Sequence, residues 1–166
     1  KVFVDKANQS GIEDGLSWIT AFSMIQRGID AAARAGGLDV WVAQGVYDEY
    51  RGGDGALYMS EGVNLYGGFR GTETAFDERD WEAHETIIDG IRARSHFSQD
   101  ILVEALHVVR GADDAILDGF TIRNGIALTH PNEPEILVNY GGGMYNVDVA
   151  PKIGRASCRE RVCVGV

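Results

Sequence analysis

The stretch VNLYGGFRGTETAFDERDWEAHETIIDG, Val63 to Gly90, is the key to the fold. It opens on a short apolar run, Val63 to Tyr66, that stops at Gly67-Gly68. It closes on a second run, Thr86 to Ile88, that stops at Asp89-Gly90. The polar excursion between them is too long for a hairpin turn. Leu65 and Ile87 are 22 residues apart, and the spacing recurs: Val42 to Leu65 is 23, Ile87 to Val109 is 22, and Ile122 to Met144 is 22. Each of these residues sits in a short β-branched or aromatic run.

Short strands that return at this spacing, with glycine at the corners, indicate stacked repeats. One coil cannot bury its inward side chains alone, whereas stacked coils bury them as a column, ~4.8 Å apart. The L-x-x-L-x-L pattern of a leucine-rich repeat is absent. The sequence therefore predicts an all-β fold, a right-handed single-stranded parallel β-helix of about 22 residues per coil. An evenly spaced β-sandwich is the alternative.

Several motifs in order carry a family resemblance. They are Val2-Phe3-Val4-Asp5, Asp14-Gly15-Leu16-Ser17-Trp18, Leu65-Tyr66-Gly67-Gly68-Phe69 with Gly71-Thr72-Glu73-Thr74, Arg79-Asp80-Trp81, Thr86-Ile87-Ile88-Asp89-Gly90, His107-Val108-Val109, Leu117-Asp118-Gly119-Phe120-Thr121-Ile122 and Gly141-Gly142-Gly143-Met144-Tyr145-Asn146. Together they resemble the N-terminal region of secreted bacterial right-handed β-helix proteins, the pectate-lyase-like and polymorphic-outer-membrane-protein-like group. The resemblance spans about residues 1–150. It implies an extracellular or cell-surface location, and either a binding, adhesive or structural role or a polysaccharide lyase or hydrolase activity.

The chain has 166 residues, a formal charge of −10 and a pI of about 4.7. Such an acidic chain repels phosphate backbones, which argues against nucleic acid as a partner, and it is equally unsuited to an anionic membrane surface. No apolar run approaches the ~20 residues of a membrane span. The 22 glycines suit a fold with many tight corners.

Residues 1–38 read as an N-terminal cap of strand, loop and helix. Ser17 is the expected N-cap, and Trp18, Ala21, Phe22, Ile25, Ile29 and Ala32 form one apolar helix face running to about Ala35. Gly36-Gly37 stops it. Residues 39–152 read as the repeat coils, with Trp81 folding back on their surface. Residues 153–166 read as a non-native tail on a truncated chain. Ile153 to Cys163 resembles a translated sequencing adapter, which reads IGRASCRERV in one frame. Setting Arg155, Arg159, Arg161 and Glu160 aside leaves 12 basic against 24 acidic residues. It also removes Cys158 and Cys163, otherwise a C-x₄-C metal or disulfide candidate.

Asp89-Gly90 and Asp118-Gly119 each follow an apolar run. Such an aspartate is either a carboxylate on a binding face or a corner residue that bonds its own backbone before a positive-φ glycine. Asp48, Arg70, Arg92 and Asp114 are spaced by 22 and would stack as a charged column if coil lengths held. Tyr47, Tyr50, Tyr58, Tyr66 and Trp41 suggest either a sugar-stacking strip or interior aromatic ladders. His84, His96, His107 and His130 lack ligand spacing, so no metal site is expected. Gly141 to Gly143 lacks the Lys-Ser/Thr of a phosphate loop.

The pectate-lyase pattern departs at its catalytic points. Ile87-Ile88-Asp89-Gly90 has no histidine, and no R-x-P-x-x-R segment surrounds Pro131 or Pro134, so no catalytic residue carries over. The resulting expectation is a secreted or cell-surface binding, adhesive or structural module. Its ligand would be a polysaccharide or another cell-surface molecule. A carbohydrate-active enzyme is the alternative, and only that alternative brings in a cofactor, calcium. Oligomeric state is left open. Sequencing the source DNA across Pro151 is expected to read differently in place of Ile153–Val166; an unchanged reading returns Cys158 and Cys163 as candidate ligands.

Overall fold

The computed structural model describes residues 1–49, 51, 56–91, 107–125, 143–146 and 149–158. They form twelve short strands and one α-helix. The strands are β1 (Val2–Val4), β2 (Asp39–Ala43), β3 (Gly45–Tyr47), β4 (Leu57–Tyr58), β5 (Asn64–Phe69), β6 (Thr86–Asp89), β7 (Val109–Arg110), β8 (Ile116–Asp118), β9 (Phe120–Arg123), β10 (Met144–Tyr145), β11 (Lys152–Ile153) and β12 (Ala156–Cys158); α1 is Ile25–Arg34. A 3₁₀ turn covers Phe76–Glu78. The first sheet has the order β1-β2-β5-β8-β11, the second β12-β9-β6-β3, and the third β10-β7-β4. The strand pairs are all parallel.

This corrects the predicted all-β right-handed single-stranded parallel β-helix with its capping helix. Helix makes up about 11% and strand about 33%, arranged as several short parallel sheets, and no closed solenoid is found among the described residues. The 22-residue spacing is not the pairing distance. Leu65 pairs with Val40, 25 residues before it, and with Leu117, 52 after it. Ile87, its expected stacking partner, lies in the second sheet, and Val109 lies in the third. Only the interval from Val42 to Leu65 stays within one sheet; from Leu65 on, the regular count stepped from sheet to sheet.

Side-chain alternation decides which residues enter the core. Val2, Val4, Val40, Val42, Leu65 and Leu117 of the first sheet point into one interior. Tyr47, Ile88, Phe120 and Ile122 of the second sheet and Leu57, Val109 and Met144 of the third meet them there. The opposite face of the first sheet carries a separate aromatic group of Phe3, Trp41 and Phe69, with Trp18 and Tyr66 against it. Trp41 stacks on Phe69 with centroids 4.6 Å apart and planes at 10°. Such a pair adds about 0.5–1.5 kcal/mol beyond its area burial.

Gly67-Gly68 does not end its strand, as the sequence suggested. β5 continues to Phe69, and the register with β2 shifts between Trp41↔Tyr66 and Ala43↔Phe69. The extra residue makes a bulge, with Gly68 at φ +86°, a conformation that favours glycine. A Cβ there would also lie 2.8 Å from Trp81 Cα. The bulge turns Phe69 into the aromatic group.

The helix starts later than predicted. Its N-cap position is Met24, without a side-chain cap bond, not Ser17. Ser17 Oγ instead faces Thr20 Oγ1 at 3.0 Å in a turn. Trp18 is committed to Phe3 at 4.7 Å, and Phe22 bridges Val4 in extended conformation. Ile25, Ile29 and Ala32 are buried in the main core as the apolar face predicted. The end matches the glycine signal: Gly36 N–H bonds Ala33 O at 3.0 Å and Gly37 N–H bonds Ala32 O at 3.1 Å, the Schellman pattern. Residues 152–158, which lack strand alternation in sequence, still supply β11 and β12, since parallel pairing asks only for backbone groups.

Gly28 of α1 packs directly against the first sheet. A Cβ there would overlap Val4 Cγ2 and lie 3.2 Å from Val40 Cγ1. Gly28→Ala gains about 1 kcal/mol of helix propensity but overpacks the core at about 1–3 kcal/mol. A net loss of thermal stability is expected, and a smaller one in a Val4→Ala background, where the colliding methyl is gone. Thermal unfolding of the wild type and the three variants of that cycle measures both.

Candidate functional site

Parallel strands put like ends together. At the C-terminal edge of the second sheet this gathers Asp48 and Glu49 after β3, Asp89 at the end of β6, and Arg123 and Asn124 at the end of β9. Asp89 accepts bonds from Arg123 Nε at 2.7 Å, Asn124 Nδ2 at 2.7 Å and the Ile91 N–H at 3.0 Å. Burial pushes its pKa up, but these donors together hold it below the usual carboxylate value. A carboxylate so saturated stays ionised and is a poor general base. Asp48 pairs with Lys6.

Arg51 enters the same cluster, with its side chain only 1% exposed. Its Nη2 donates to Tyr47 O at 2.8 Å and Asp89 O at 3.3 Å, and lies 3.9 Å from Glu49 Oε2. Burial pulls its pKa down, against the attraction of Glu49, Asp89 and Asp48. Both Glu49 carboxylate oxygens are buried without a hydrogen-bond partner. Glu49 is thus the least satisfied acid of the cluster. Neither Glu49 nor Arg51 stood out in the sequence, because their neighbours belong to strands 40 and 75 residues away.

Asp118 is placed differently. Phe3, Trp41, Tyr66 and Asp118 form one cross-strand row on the outer face of the first sheet. Arg79 pairs with Asp118 and lies over Phe76 at 4.5 Å, Tyr66 at 5.3 Å and Trp81 at 5.4 Å. Burial raises the Asp118 pKa, but the Arg79 bond and the Arg155 N–H bring it below its ordinary value. Trp81 packs against the Gly68 bulge and under Arg155, 4.0 Å from its ring. Nearby, Glu73 accepts from the N–H groups of Arg70, Gly71 and Thr72 at 2.5, 3.0 and 2.9 Å. Burial works against its charge, yet those bonds lower its pKa.

Neither Asp-Gly pair fits one sequence reading in full, since Gly90 lacks the positive φ of a corner glycine. Asp89 bonds the N–H two residues on, as a corner aspartate does. Gly90 is required because a Cβ would collide with Asn124 O. Gly119 has φ +82°, but Asp118 serves Arg79 rather than its own turn.

The structure does not assemble the predicted charged column. Asp48 follows β3 in the second sheet and Arg70 follows β5 in the first. Asp114 precedes β8 in a turn, at φ 50°. Arg92 lies outside the described residues. A column needs one strand position repeated in register, and these residues flank different strands.

The aromatic strip also separates. Tyr47 is fully buried in the core and donates to Ala43 O at 3.0 Å; burial pushes its pKa up. Trp41 is 4% exposed in the outer aromatic group, and Tyr66 meets Phe76 edge-on at 4.8 Å. Tyr50 lies outside the described residues. Tyr58, at 44% exposure, belongs to a row the sequence did not reveal. On the third sheet the register aligns Tyr58, Arg110 and Tyr145, while the alternate row of Leu57, Val109 and Met144 is buried. The Arg110 guanidinium lies 5.5 Å from the Tyr58 ring centre and 5.3 Å from that of Tyr145. His107 stacks on Tyr145 at 4.3 Å and 13°. The row places ring, cation and ring at successive strand spacings of ~4.8 Å.

His84 Nδ1 lies 3.1 Å from Gln44 Oε1; His96, His130, Gly141 and Gly142 lie outside the described residues. Among the described residues, no group of three or more His, Cys, Asp or Glu side chains is arranged to hold a metal ion. No described helix is long and apolar enough to cross a membrane.

The Asp89 carboxylate has a measurable signature. Its folded pKa lies below the unfolded value of ~3.9, so its stabilisation is present above that value and is lost as pH falls through the folded pKa. Asp89→Asn is expected to lower the melting temperature at neutral pH, and the gap from wild type should shrink steadily in acid. Thermal unfolding across an acid pH series measures it.

Comparisons of the chain with protein-family models, curated proteins and solved structures return no match.

Proposed function

We propose that this chain is a binding module working at the cell exterior, which engages a polysaccharide or similar cell-surface ligand through the third sheet. The row Tyr58–Arg110–Tyr145, on the face opposite the buried Leu57, Val109 and Met144, carries this reading. Aromatic rings bury the apolar side of a sugar ring at little entropic cost, and tyrosine hydroxyls and arginine are hydrogen-bonding groups that match sugar hydroxyls. The extended array suits a chain of sugar units better than one small molecule.

Two further points support binding over catalysis. The carboxylates Asp48, Asp89 and Asp118 are each tied to a cation, and two of them, Asp89 and Asp118, have lowered pKa values, the opposite of what proton donation requires. The exterior location rests on the motif resemblance to secreted surface proteins.

Affinity electrophoresis through gels containing neutral or acidic polysaccharides tests the proposal. Retardation of the wild type is expected with at least one polymer, and Tyr58→Ala with Tyr145→Ala should reduce it about tenfold or more, as loss of two stacking contacts at roughly 1 kcal/mol each implies. Unchanged retardation in a folded double variant would sink the assignment.

A further inference from the structure

Asn124-Gly125 is the one Asn-Gly pair in the chain. Asparagine is a labile residue, and a glycine after it leaves the next amide nitrogen with no Cβ to shield it. The Gly125 nitrogen gives up its proton to base and attacks Asn124 Cγ. A C–N bond closes a cyclic imide, the Cγ–Nδ2 bond breaks, and the amide leaves as ammonia with a proton from solvent. Water then opens the imide. Opening at the side-chain carbonyl leaves aspartate at position 124. Opening at the main-chain carbonyl leaves isoaspartate, whose backbone runs through Cγ and is longer by one carbon.

The fold holds this pair at the C-terminal edge of the second sheet, just past β9. Asn124 Nδ2 donates to Asp89 Oδ1 at 2.7 Å. The same carboxylate takes Arg123 Nε at 2.7 Å and the Ile91 N–H at 3.0 Å. Asn124 has φ 58°, a left-handed conformation that asparagine tolerates. Its carbonyl passes close to Gly90, where a Cβ would stand 2.3 Å away, and the Gly90 N–H bonds Arg123 O at 3.0 Å. Loss of Nδ2 forfeits its bond to Asp89. The deprotonated Gly125 nitrogen and the oxyanion on Cγ both place negative charge beside that carboxylate. The reaction therefore runs from a locally opened edge. We propose that Asn124 is a deamidation site gated by Asp89, and that its conversion unlocks this edge of the second sheet. After conversion a carboxylate stands where the Nδ2 donor stood, facing Asp89 Oδ1, and an attraction becomes a repulsion. Opening of the edge is reversible before that step and permanent after it. The site lies on the second sheet and draws nothing from the ligand row of the third.

The test incubates the full folded chain at neutral pH, well below its melting temperature, and maps its peptides by mass spectrometry. Conversion reads as the exchange of NH2 for OH at position 124. The same chain in urea gives the unprotected rate, and Gly125→Ala should slow that rate. The folded wild type is expected to convert about tenfold or more slowly than the chain in urea, the factor that one charge-assisted hydrogen bond implies. Asp89→Ala, shown to be folded by circular dichroism, should recover most of that factor. Asn124→Asp carries the charge of the product on a residue that tolerates the same backbone. It should melt about 3 °C or more below wild type at neutral pH. Absence of conversion in urea overturns the site. Equal rates in the folded and urea chains overturn the gate, as does an unchanged rate in folded Asp89→Ala. An Asn124→Asp chain that melts with the wild type overturns the unlocking. If Asp89→Ala fails to fold, Asp89→Asn, which keeps an oxygen acceptor without the charge, carries the comparison with a smaller acceleration.

Discussion

The pairing of Leu65 with Val40 on one side and Leu117 on the other is the constraint on which most of the molecule depends. β8 has three residues and β5 six, too few to persist alone in water. Each strand gains its order from its neighbours, whose inward side chains complete the core. The same register sets the outer row of Phe3, Trp41, Tyr66 and Asp118. A slip of one residue would exchange the two faces and expose Leu65 and Leu117. The fully buried aliphatic residues thus fix the site geometry as well as the core.

Charge follows from that register. Parallel strands bring equivalent ends together, and this chain uses those ends to match its few cations with some of its many anions. Arg123 meets Asp89 across adjacent strands, and Arg79 reaches Asp118 from a connecting turn. Burial would drive both aspartates to protonate, but specific donors reverse the balance. The acidic excess falls to residues outside these pairs, which leaves the outer surface negative. Several of the cations, Arg79 and Arg110 among them, lie over aromatic rings.

Legibility in the sequence followed the range of the interaction. Gly36-Gly37 ended the helix where the sequence placed it, because a Schellman motif is written within six residues. Strand identity was equally local: Val40 to Val42 and Thr86 to Ile88 read as strands and are strands. The helix start failed because Trp18 and Phe22 fit a helical period but bury more against Phe3 and the first sheet. Gly67-Gly68 looked like a stop and is a bulge, since only the register with β2 reveals the extra residue. The even count of 22 was the most misleading feature. Most of those equal intervals lead from one sheet to another, and a column built on them placed Asp48, Arg70 and Asp114 together when they lie at different strand ends of two sheets. The Tyr58–Arg110–Tyr145 row was invisible for the same reason, its members lying 52 and 35 residues apart.

The unequal separation of paired strands has a consequence for how such a chain changes over time. Val40, Leu65, Leu117 and Ile153 lie on three strand pairs of one sheet while the sequence between them varies from 25 to 52 residues. Register is enforced by side-chain fit at the buried rungs of Val40, Leu65 and Leu117, so chain length between rungs is nearly free, and a longer connection costs little additional closure entropy. Insertions and deletions can accumulate there without disturbing the sheets. Aligned column by column, two such chains would lose their correspondence long before they lost their shape, and the same connections offer places to graft foreign segments onto a fixed scaffold.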